Sequence, residues 1–117
     1  MAAVRTIRVG HTPDMDDAFM FFAIAEGFIP MDGLRLEHVI EDIQALNGRA
    51  ATGELEVTAI SAARDPSGEK HYRILSGGSS VGQGYGPLVI ARTPVTPQEL
   101  RGRRIAVPGL QTTACRS

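Results

Sequence analysis

The chain has 117 residues, which is enough for one domain of modest size. Hydrophobic residues make up 43% and charged residues 21%, and this composition excludes a polar disordered chain. The formal net charge of -1 gives no basic field for nucleic acid or anionic lipid, and the single cysteine, Cys115, excludes an internal disulfide.

The sequence gives no signal for a membrane segment or for secretion. It has no stretch of the roughly 18–20 apolar residues that a membrane helix needs. Its first eight residues lack the apolar core of a secretory signal. Together with the lone cysteine, these features predict a cytoplasmic protein with neither a nucleic-acid nor a membrane partner.

The first sixty residues alternate between strand and helix patterns. Apolar and polar residues alternate at 5–10 and 34–40, and a third strand is predicted at 55–60. Two helical segments separate these strands. This order and spacing predict the α/β fold class, with a parallel βαβαβ unit and right-handed crossovers.

The two predicted helices differ in their apolar surface. Residues 18–26 are apolar on every side, which predicts a helix that is buried on most of its surface, with an aspartate at its start and Gly27 after its end. The second helix, predicted from residue 43 to 51, has one apolar stripe, and Asp42 is its expected N-cap.

The later half of the chain carries turn chemistry and short apolar segments. The predicted strands are residues 72–75, 88–91 and 104–107. Residues 62–71 are predicted to be a loop, a brief turn starts at Thr96, and a new helix is expected near residue 112. The last strand and helix start form half of a further βα unit, so we expect either a truncated chain or cover from another chain.

A polar turn follows the first predicted strand and contains His11, Asp14, Asp16 and Asp17. Alternating carboxylates suit a hard cation, but the glycine and glutamate that a calcium loop needs at its sixth and twelfth positions are absent. We therefore expect no metal. The turn either caps the following helix or lines a ligand crevice at the end of the sheet.

Three hydroxyl side chains occupy similar places. Ser61 ends the third predicted strand, and Thr112 and Thr113 precede a predicted helix. Each position is consistent with a simple cap. Together with the first turn, they indicate a crevice for a small molecule that carries a carboxylate.

The glycine-rich segment matches two catalytic patterns incompletely. Residues 78–82 read G-x-S-x-G, but no helix can follow, so a nucleophilic serine is not predicted. Residues 82–86 lack the dinucleotide spacing and precede a strand. His38 lies within a predicted strand and His71 in a loop, and both are interpreted as structural or solvated.

Four runs of residues together resemble the amino-terminal part of the 1,4-dihydroxy-6-naphthoate synthase family, which acts in the futalosine route to menaquinone. The runs are residues 12–21, 56–61, 84–89, and 105–109 with 112–114. The resemblance implies the fold of type II periplasmic solute-binding proteins, in which two α/β lobes close over a cleft. Residues 1–90 would then form an incomplete first lobe, and residues 91–117 the crossover and the truncated start of the second.

The resemblance also implies a substrate and a set of contacts. The substrate would be cyclic dehypoxanthinylfutalosine, split to release 1,4-dihydroxy-6-naphthoate without a redox cofactor or a metal. The implied substrate-binding residues are Asp14, Asp16, Asp17, Ala59, Ile60, Ser61, Thr112 and Thr113.

The resemblance places the proton acceptor on a histidine further downstream. None of the three histidines of this chain matches it, and residues 62–70 also depart from the family pattern. We therefore predict no catalytic residue and negligible turnover in these 117 residues.

Three alternatives remain at this point. The chain is an inactive part of the synthase, a non-catalytic solute-binding-like module for a small carboxylate, or a chorismate dehydratase of the same pathway. The run from Asp16 to Phe21 favours the synthase. Self-association through the uncovered second-lobe edge is expected in either of the first two cases.

Overall fold

The computed structural model describes residues 3–64 and 70–116. Its elements alternate in the predicted order over the first sixty residues. They are β1 (Arg5–His11), α1 (Met15–Ala25), β2 (Leu34–Ile40), α2 (Ile43–Thr52), β3 (Val57–Thr58) and α3 (Thr113–Arg116). The predicted βαβαβ unit and the α/β class are confirmed.

The three strands form one parallel sheet with the order β2-β1-β3. Arg5 pairs with Leu34 and His11 with Ile40, so β1 and β2 match along their full length. The first crossover therefore places β2 on one side of β1, and the second crosses back over β1 and places β3 on its other side. With right-handed crossovers, this reversal places α1 and α2 on opposite faces of the sheet.

The close approach of α2 to the sheet depends on Gly10. A Cβ atom at this position would lie 2.6 Å from Leu55 Cδ1 and 2.8 Å from Leu46 Cδ2. Leu46 and Leu55 are buried, together with Val9 and Ala50. The core therefore lies where β1 meets α2 and the start of β3.

The ends of α2 follow the prediction. The Asp42 side chain accepts a hydrogen bond from the backbone N–H of Ala45 at 3.0 Å. Gly53 ends the helix in the left-handed region with φ 67°. These two residues satisfy backbone groups that the helix leaves without partners.

The prediction for α1 is wrong in two respects. The helix begins at Met15, and its N-cap, Asp14, makes no side-chain capping bond. Phe19 is 87% exposed and Phe22 57% exposed, so the helix is not buried on most sides. The sheet supplies one packing surface, and no second layer covers the outer face among the residues described.

The third strand, predicted at 55–60, is shorter than expected and covers only Val57–Thr58. The strands predicted in the later half of the chain are wrong, because residues 72–75, 88–91 and 104–107 contain no strand within the described part. A strand requires a hydrogen-bonded neighbour, and these three apolar segments form no strand pairing in the described ranges. The predicted loop at residues 62–71 begins with a turn, and residues 65–69 lie outside the description.

Two smaller predictions in this region hold. The carboxylate of Glu99 accepts from the backbone N–H and the hydroxyl of Thr96 at 2.7 and 2.9 Å, so the glutamate half of the expected capping box forms at a brief turn. The Glu99 N–H donates to the Thr96 carbonyl instead of to its hydroxyl. A short helix, α3, begins at Thr113. In the described residues, no helix is long and apolar enough to cross a membrane.

Candidate functional site

The sheet topology defines where a ligand crevice can lie. The chain leaves β1 toward β2 and returns past β1 to β3, so the winding direction reverses between β1 and β3. In open parallel sheets, ligands bind outside the carboxyl ends of the strands at such a reversal. The turn after His11 and the segment after Thr58 form the two sides of this position.

The segment after β3 continues the pairing and ends at Ser61. The backbone N–H of Ala59 donates to the Gly10 carbonyl at 2.7 Å, which extends the contact with β1 beyond the two assigned residues. Ile60 is half-buried, and Ser61 is buried at 9% exposure. The backbone thus carries Ser61 to the carboxyl edge of the sheet.

Asn47 of α2 fixes Ser61 in place. The amide group of Asn47 donates to Ser61 Oγ at 3.0 Å, and its Oδ1 accepts from the Ser61 backbone N–H at 2.9 Å. Asn47 has no exposed surface. Because Ser61 Oγ accepts from the amide, its own hydrogen is directed elsewhere and can donate to a ligand oxygen.

The chain near residue 111 returns to the same place. The Gln111 N–H donates to Gln44 Oε1 at 3.1 Å, and the Gln111 carbonyl accepts from the Asn47 amide at 3.5 Å. Thr113 Oγ1 accepts from the Ala63 backbone N–H at 3.0 Å. The fold therefore brings the segments of Ser61 and Thr113, which are 52 positions apart in the sequence, to the same end of the sheet.

Thr112 makes a different contact. Its side chain is 3% exposed, and its hydroxyl donates to the Gly109 carbonyl at 2.8 Å. This bond closes the turn that precedes α3. Thr112 therefore acts as a turn residue here, which is the simpler of its two sequence interpretations.

The turn after β1 is held by Asp17. The Asp17 carboxylate accepts from the backbone N–H of Thr12 at 2.6 Å and from the Thr12 hydroxyl at 2.9 Å. Asp14 also lies 3.1 Å from that hydroxyl, which has one hydrogen to donate. Thr12 and Asp17 are both buried, at 8% and 7% exposure.

Asp16 has a different partner from the other two aspartates. A hydrogen bond from Ser80 lowers the pKa of Asp16 below its ordinary value. The two residues share an open hollow with Phe19 and Met20 of α1 and with Gly78 and Ser79. The three predicted aspartates therefore serve two different places, and no cluster of three metal-ligating side chains occurs in the described residues.

An ion pair between Arg8 and Glu56 connects β1 to the residue that precedes β3. Glu56 accepts from the Arg8 backbone N–H at 2.8 Å, and its carboxylate binds the Arg8 guanidinium at 2.9 Å. These bonds lower the pKa of Glu56 to about 2, and the same pairing raises the pKa of Arg8. The Glu56 carboxylate thus accepts from the N–H of Arg8, the residue just before β1 begins to pair with β3 at Val9.

Three contacts escaped prediction from the sequence. Asn47 interrupts the apolar stripe of α2, and a poor helix former on a buried face is a signal for a polar contact. Gln44 and Gln111 gave no signal. The sequence also gave no partner for His38, interpreted as structural or solvated, whose Nδ1 lies 3.0 Å from His11 Nε2.

The arrangement suits the recognition of a small polar molecule. Two hydroxyl groups, those of Ser61 and Thr113, lie at the crevice beside a turn whose carboxylates are already bound to Thr12. Hydroxyl groups that accept from the protein can donate to the oxygen of a carboxylate. The fold and this arrangement define a parallel α/β protein with two hydroxyl side chains near the carboxyl ends of its strands.

A family model described as "Menaquinone biosynthesis" matches residues 7–116. The chain belongs to this menaquinone biosynthesis family. The match extends over nearly all of the chain and includes both the β1 turn and the segment around Thr113.

Two curated relatives are named 1,4-dihydroxy-6-naphtoate synthase. The chain is 40% identical to the Thermus thermophilus protein over 111 residues, which is 95% of this chain and 40% of that protein. It is 37% identical to the Streptomyces coelicolor protein over 109 residues, which is 93% of this chain and 38% of that protein. The chain thus spans about two fifths of the length of these relatives.

A solved structure agrees with the fold. The crystal structure of a protein from Archaeoglobus fulgidus is 55% identical in sequence and superposes with a TM-score of 0.80. The match covers 94% of this chain and 40% of the archaeal one.

Proposed function

We propose that this chain forms the amino-terminal part of the substrate site of a 1,4-dihydroxy-6-naphthoate synthase. The full reaction would convert cyclic dehypoxanthinylfutalosine to 1,4-dihydroxy-6-naphthoate in the futalosine route to menaquinone. The family match and the two relatives support this assignment. The observation that carries it is the position of Ser61, which Asn47 fixes at the carboxyl edge beside Thr113.

The fold proposed for the complete site has two lobes. The strand order β2-β1-β3 and its reversal at β1 support a first lobe of the type II periplasmic-binding-protein kind, over residues 1–90. Residues 91–117 would be the crossover and the start of a second lobe. The cleft between the lobes would lie against Ser61 and the β1 turn.

Within this site, we assign the carboxylate of the naphthoate to the side of Ser61 and Thr113. Their hydroxyl groups accept bonds from Asn47 and from the Ala63 N–H, so their hydrogens are available to the ligand. The backbone N–H of Arg64 donates to the Ser61 carbonyl at 2.9 Å and closes the turn that follows Ser61. Asp17, bound to Thr12, keeps the opposite side negative.

These residues bind without turnover in this proposal. Orientation of a substrate and exclusion of water require two walls of a cleft, and the described residues supply one. The proton acceptor that the resemblance implies lies further downstream than any histidine here. Incubation of the chain with cyclic dehypoxanthinylfutalosine should release no dihydroxynaphthoate, and release above the uncatalysed rate would contradict this point.

A calorimetric titration with 1,4-dihydroxy-6-naphthoate tests the binding proposal. We expect saturable heat from the wild-type chain. Ser61→Ala should weaken binding about 5- to 10-fold, the effect of one lost hydrogen bond of roughly 1–1.5 kcal/mol. Ser79→Ala removes a hydroxyl from the hollow beside Asp16 and should leave the affinity unchanged.

Two results would overturn the proposal. A flat titration would remove the site, and an equal loss in both variants would remove the role of Ser61. Saturable heat with chorismate but none with the naphthoate would favour the dehydratase of the same pathway. Binding of unrelated small carboxylates with equal strength would favour a general solute-binding module.

A further inference from the structure

We propose that His11 and His38 form a hydrogen-bonded pair that takes up one added proton with the bond between the rings intact and loses that bond with a second, and that His38 positions the turn after β1 by acting through His11. His11 is the last residue of β1, and His38 lies in β2, 27 positions further along the chain. Neither residue has a role in the proposed chemistry. Four contacts with defined geometry carry the inference.

The hydrogen bonds fix the tautomers. His11 Nδ1 lies 3.0 Å from the Thr12 carbonyl oxygen, which can only accept, so Nδ1 carries the hydrogen. The other ring nitrogen, Nε2, is then the acceptor when His11 is neutral. It lies 3.0 Å from His38 Nδ1, which must therefore donate.

Packing holds the His11 ring in this orientation. The ring is stacked on Phe21 of α1, with centroids 4.6 Å apart and planes at 19°. It meets the His38 ring edge to face at 5.2 Å. His11 is 6% exposed, so the ring cannot turn outward to water without the loss of both contacts. One side chain thus connects β1, α1 and β2.

The number of protons on the two rings decides whether the hydrogen bond between them is kept. One added proton is accommodated at His38 Nε2, and the contact between the rings is unchanged. A second proton would place an N–H on both nitrogens that face each other, with no acceptor between them. The second uptake therefore breaks the bond between the rings and frees the His11 ring from β2.

The charged groups around the pair are carboxylates that already have partners. Asp14 and Asp17 bind Thr12, from the turn and from α1. Glu41, whose N–H donates to the His11 carbonyl, binds Arg49 through its side chain at 2.8 Å. Glu37 pairs with Arg8 in the sheet register and lies on the opposite face from His38.

The turn is the element that responds. His11 holds the Thr12 carbonyl, and the N–H of Thr12 is held by Asp17. Release of His11 therefore loosens the side of the crevice opposite Ser61. This last step rests on the proposed function, because that proposal places the ligand there, whereas the proton count does not depend on it.

Nitrogen-15 NMR of the histidine rings tests the pair directly in the wild-type chain. At pH 8 we expect His11 to carry its hydrogen on Nδ1. Between pH 8 and 4, the pair should take up two protons in steps at least about one pH unit apart. The His71 ring, which makes no contact with the pair in the described part of the chain, serves as the internal reference.

His38→Asn is the matched variant, because its side-chain amide can still donate to His11 Nε2 but does not titrate. His11 should then titrate in one step. A hydrogen on His11 Nε2 in the wild type, or the same His11 titration in both proteins, would overturn the proposal. His71→Asn should leave the His11 titration unchanged.

Naphthoate binding separates this inference from the proposed function. In the wild type, we expect affinity to fall at least 3-fold as the second proton enters, and in His38→Asn this step should be absent. No binding at any pH would refute the proposed function and leave the ring titration as the test of the pair. Binding that ignores the second proton would refute the positioning role.

Discussion

Residues 3–64 and residues 70–110 differ in how they use their apolar side chains. In the first region, Val9, Leu46, Ala50 and Leu55 are buried where β1 packs on α2. In the second region, Leu88 is 86% and Ile90 is 90% exposed. The radius of gyration is 17.7 Å, whereas a compact chain of this length has about 13 Å. The second region is therefore attached to the fold without being part of its core.

The attachment of the second region is local and polar. The Tyr72 hydroxyl donates to the Leu55 carbonyl at 2.7 Å at one end. At the other end, Gln111 binds Gln44 and Asn47 of α2. A segment rich in apolar residues can therefore be fixed at both ends while its apolar side chains, such as Leu88 and Ile90, stay exposed.

Asn47→Ala should have the largest effect on stability. The substitution leaves the Ser61 N–H without its acceptor in a buried place and removes the contact with the Gln111 carbonyl. We expect a loss of about 2–3 kcal/mol in the free energy of unfolding, measured by urea denaturation. Gln98→Ala, at an exposed position of the second region, should change it by less than about 0.5 kcal/mol. Equal effects would remove the distinction between the regions.

Gly10→Ala should destabilise the protein by about 1–3 kcal/mol, because the added methyl group overlaps Leu55 and Leu46. Gly48→Ala is the matched control. Gly48 lies in α2 with open space around it, so alanine should stabilise the helix by about 0.5–1 kcal/mol. Thermal unfolding of both variants measures the contrast, and a neutral Gly10→Ala would contradict the close packing of α2 on β1.

Glu56→Gln should change how the free energy of unfolding depends on pH in the acidic range. The pKa of Glu56 falls from 4.5 to about 2 in the folded protein. Its ionised form therefore adds stability above about pH 4.5, and this contribution is lost as the pH falls from 4.5 toward 2. The variant should be less stable than the wild type at pH 6, and the difference should shrink across that window.

Glu99→Gln provides the comparison in the second region. The pKa of Glu99 is also lowered, by hydrogen bonds from Thr96. Those bonds lie within one turn, so loss of the Glu99 carboxylate should leave the pH dependence of global unfolding unchanged. Denaturant unfolding between pH 2 and 7 checks both variants. An equal change from Glu99→Gln would show that the second region unfolds together with the sheet.

The double substitution Leu88→Ser and Ile90→Ser should have the smallest effect on folding. Both side chains are exposed, so the free energy of unfolding should stay within about 0.5 kcal/mol of the wild type. Exposed apolar patches promote association, and sedimentation of the wild type should show a mass that rises with concentration. The variant should reduce that rise. A monomeric wild type at high concentration would contradict the expected self-association.

The first region could be predicted from the sequence because its partners follow one another in the chain. Alternation marks β1 and β2, and Asp42 and Gly53 mark the ends of α2. The parallel order then follows from the right-handed crossover. The start of α1 was predicted at residue 18 but lies at Met15, and its N-cap, Asp14, makes no side-chain capping bond.

The second region could not be predicted in this way. Residues 88–91 have strand-like composition, but composition cannot supply the neighbour that a strand needs. Ser61 was predicted to end the third strand and lies three residues beyond the end of β3. Gln44 and Gln111 make a contact 67 positions apart that no local pattern marks. The division of the aspartates also depends on helix geometry, because Asp16 and Asp17 leave α1 in different directions.

The most direct test of the proposed site is a map of backbone amide shifts in the 15N-labelled chain during titration with 1,4-dihydroxy-6-naphthoate. We predict the largest changes at Thr12, Ser61, Ala63 and Thr113, which lie around the crevice between β1 and β3. Residues 86–95 should not respond. Changes centred on Ser79 and Ser80, beside Asp16, or no saturable change at all, would contradict a ligand site at the carboxyl edge of this sheet.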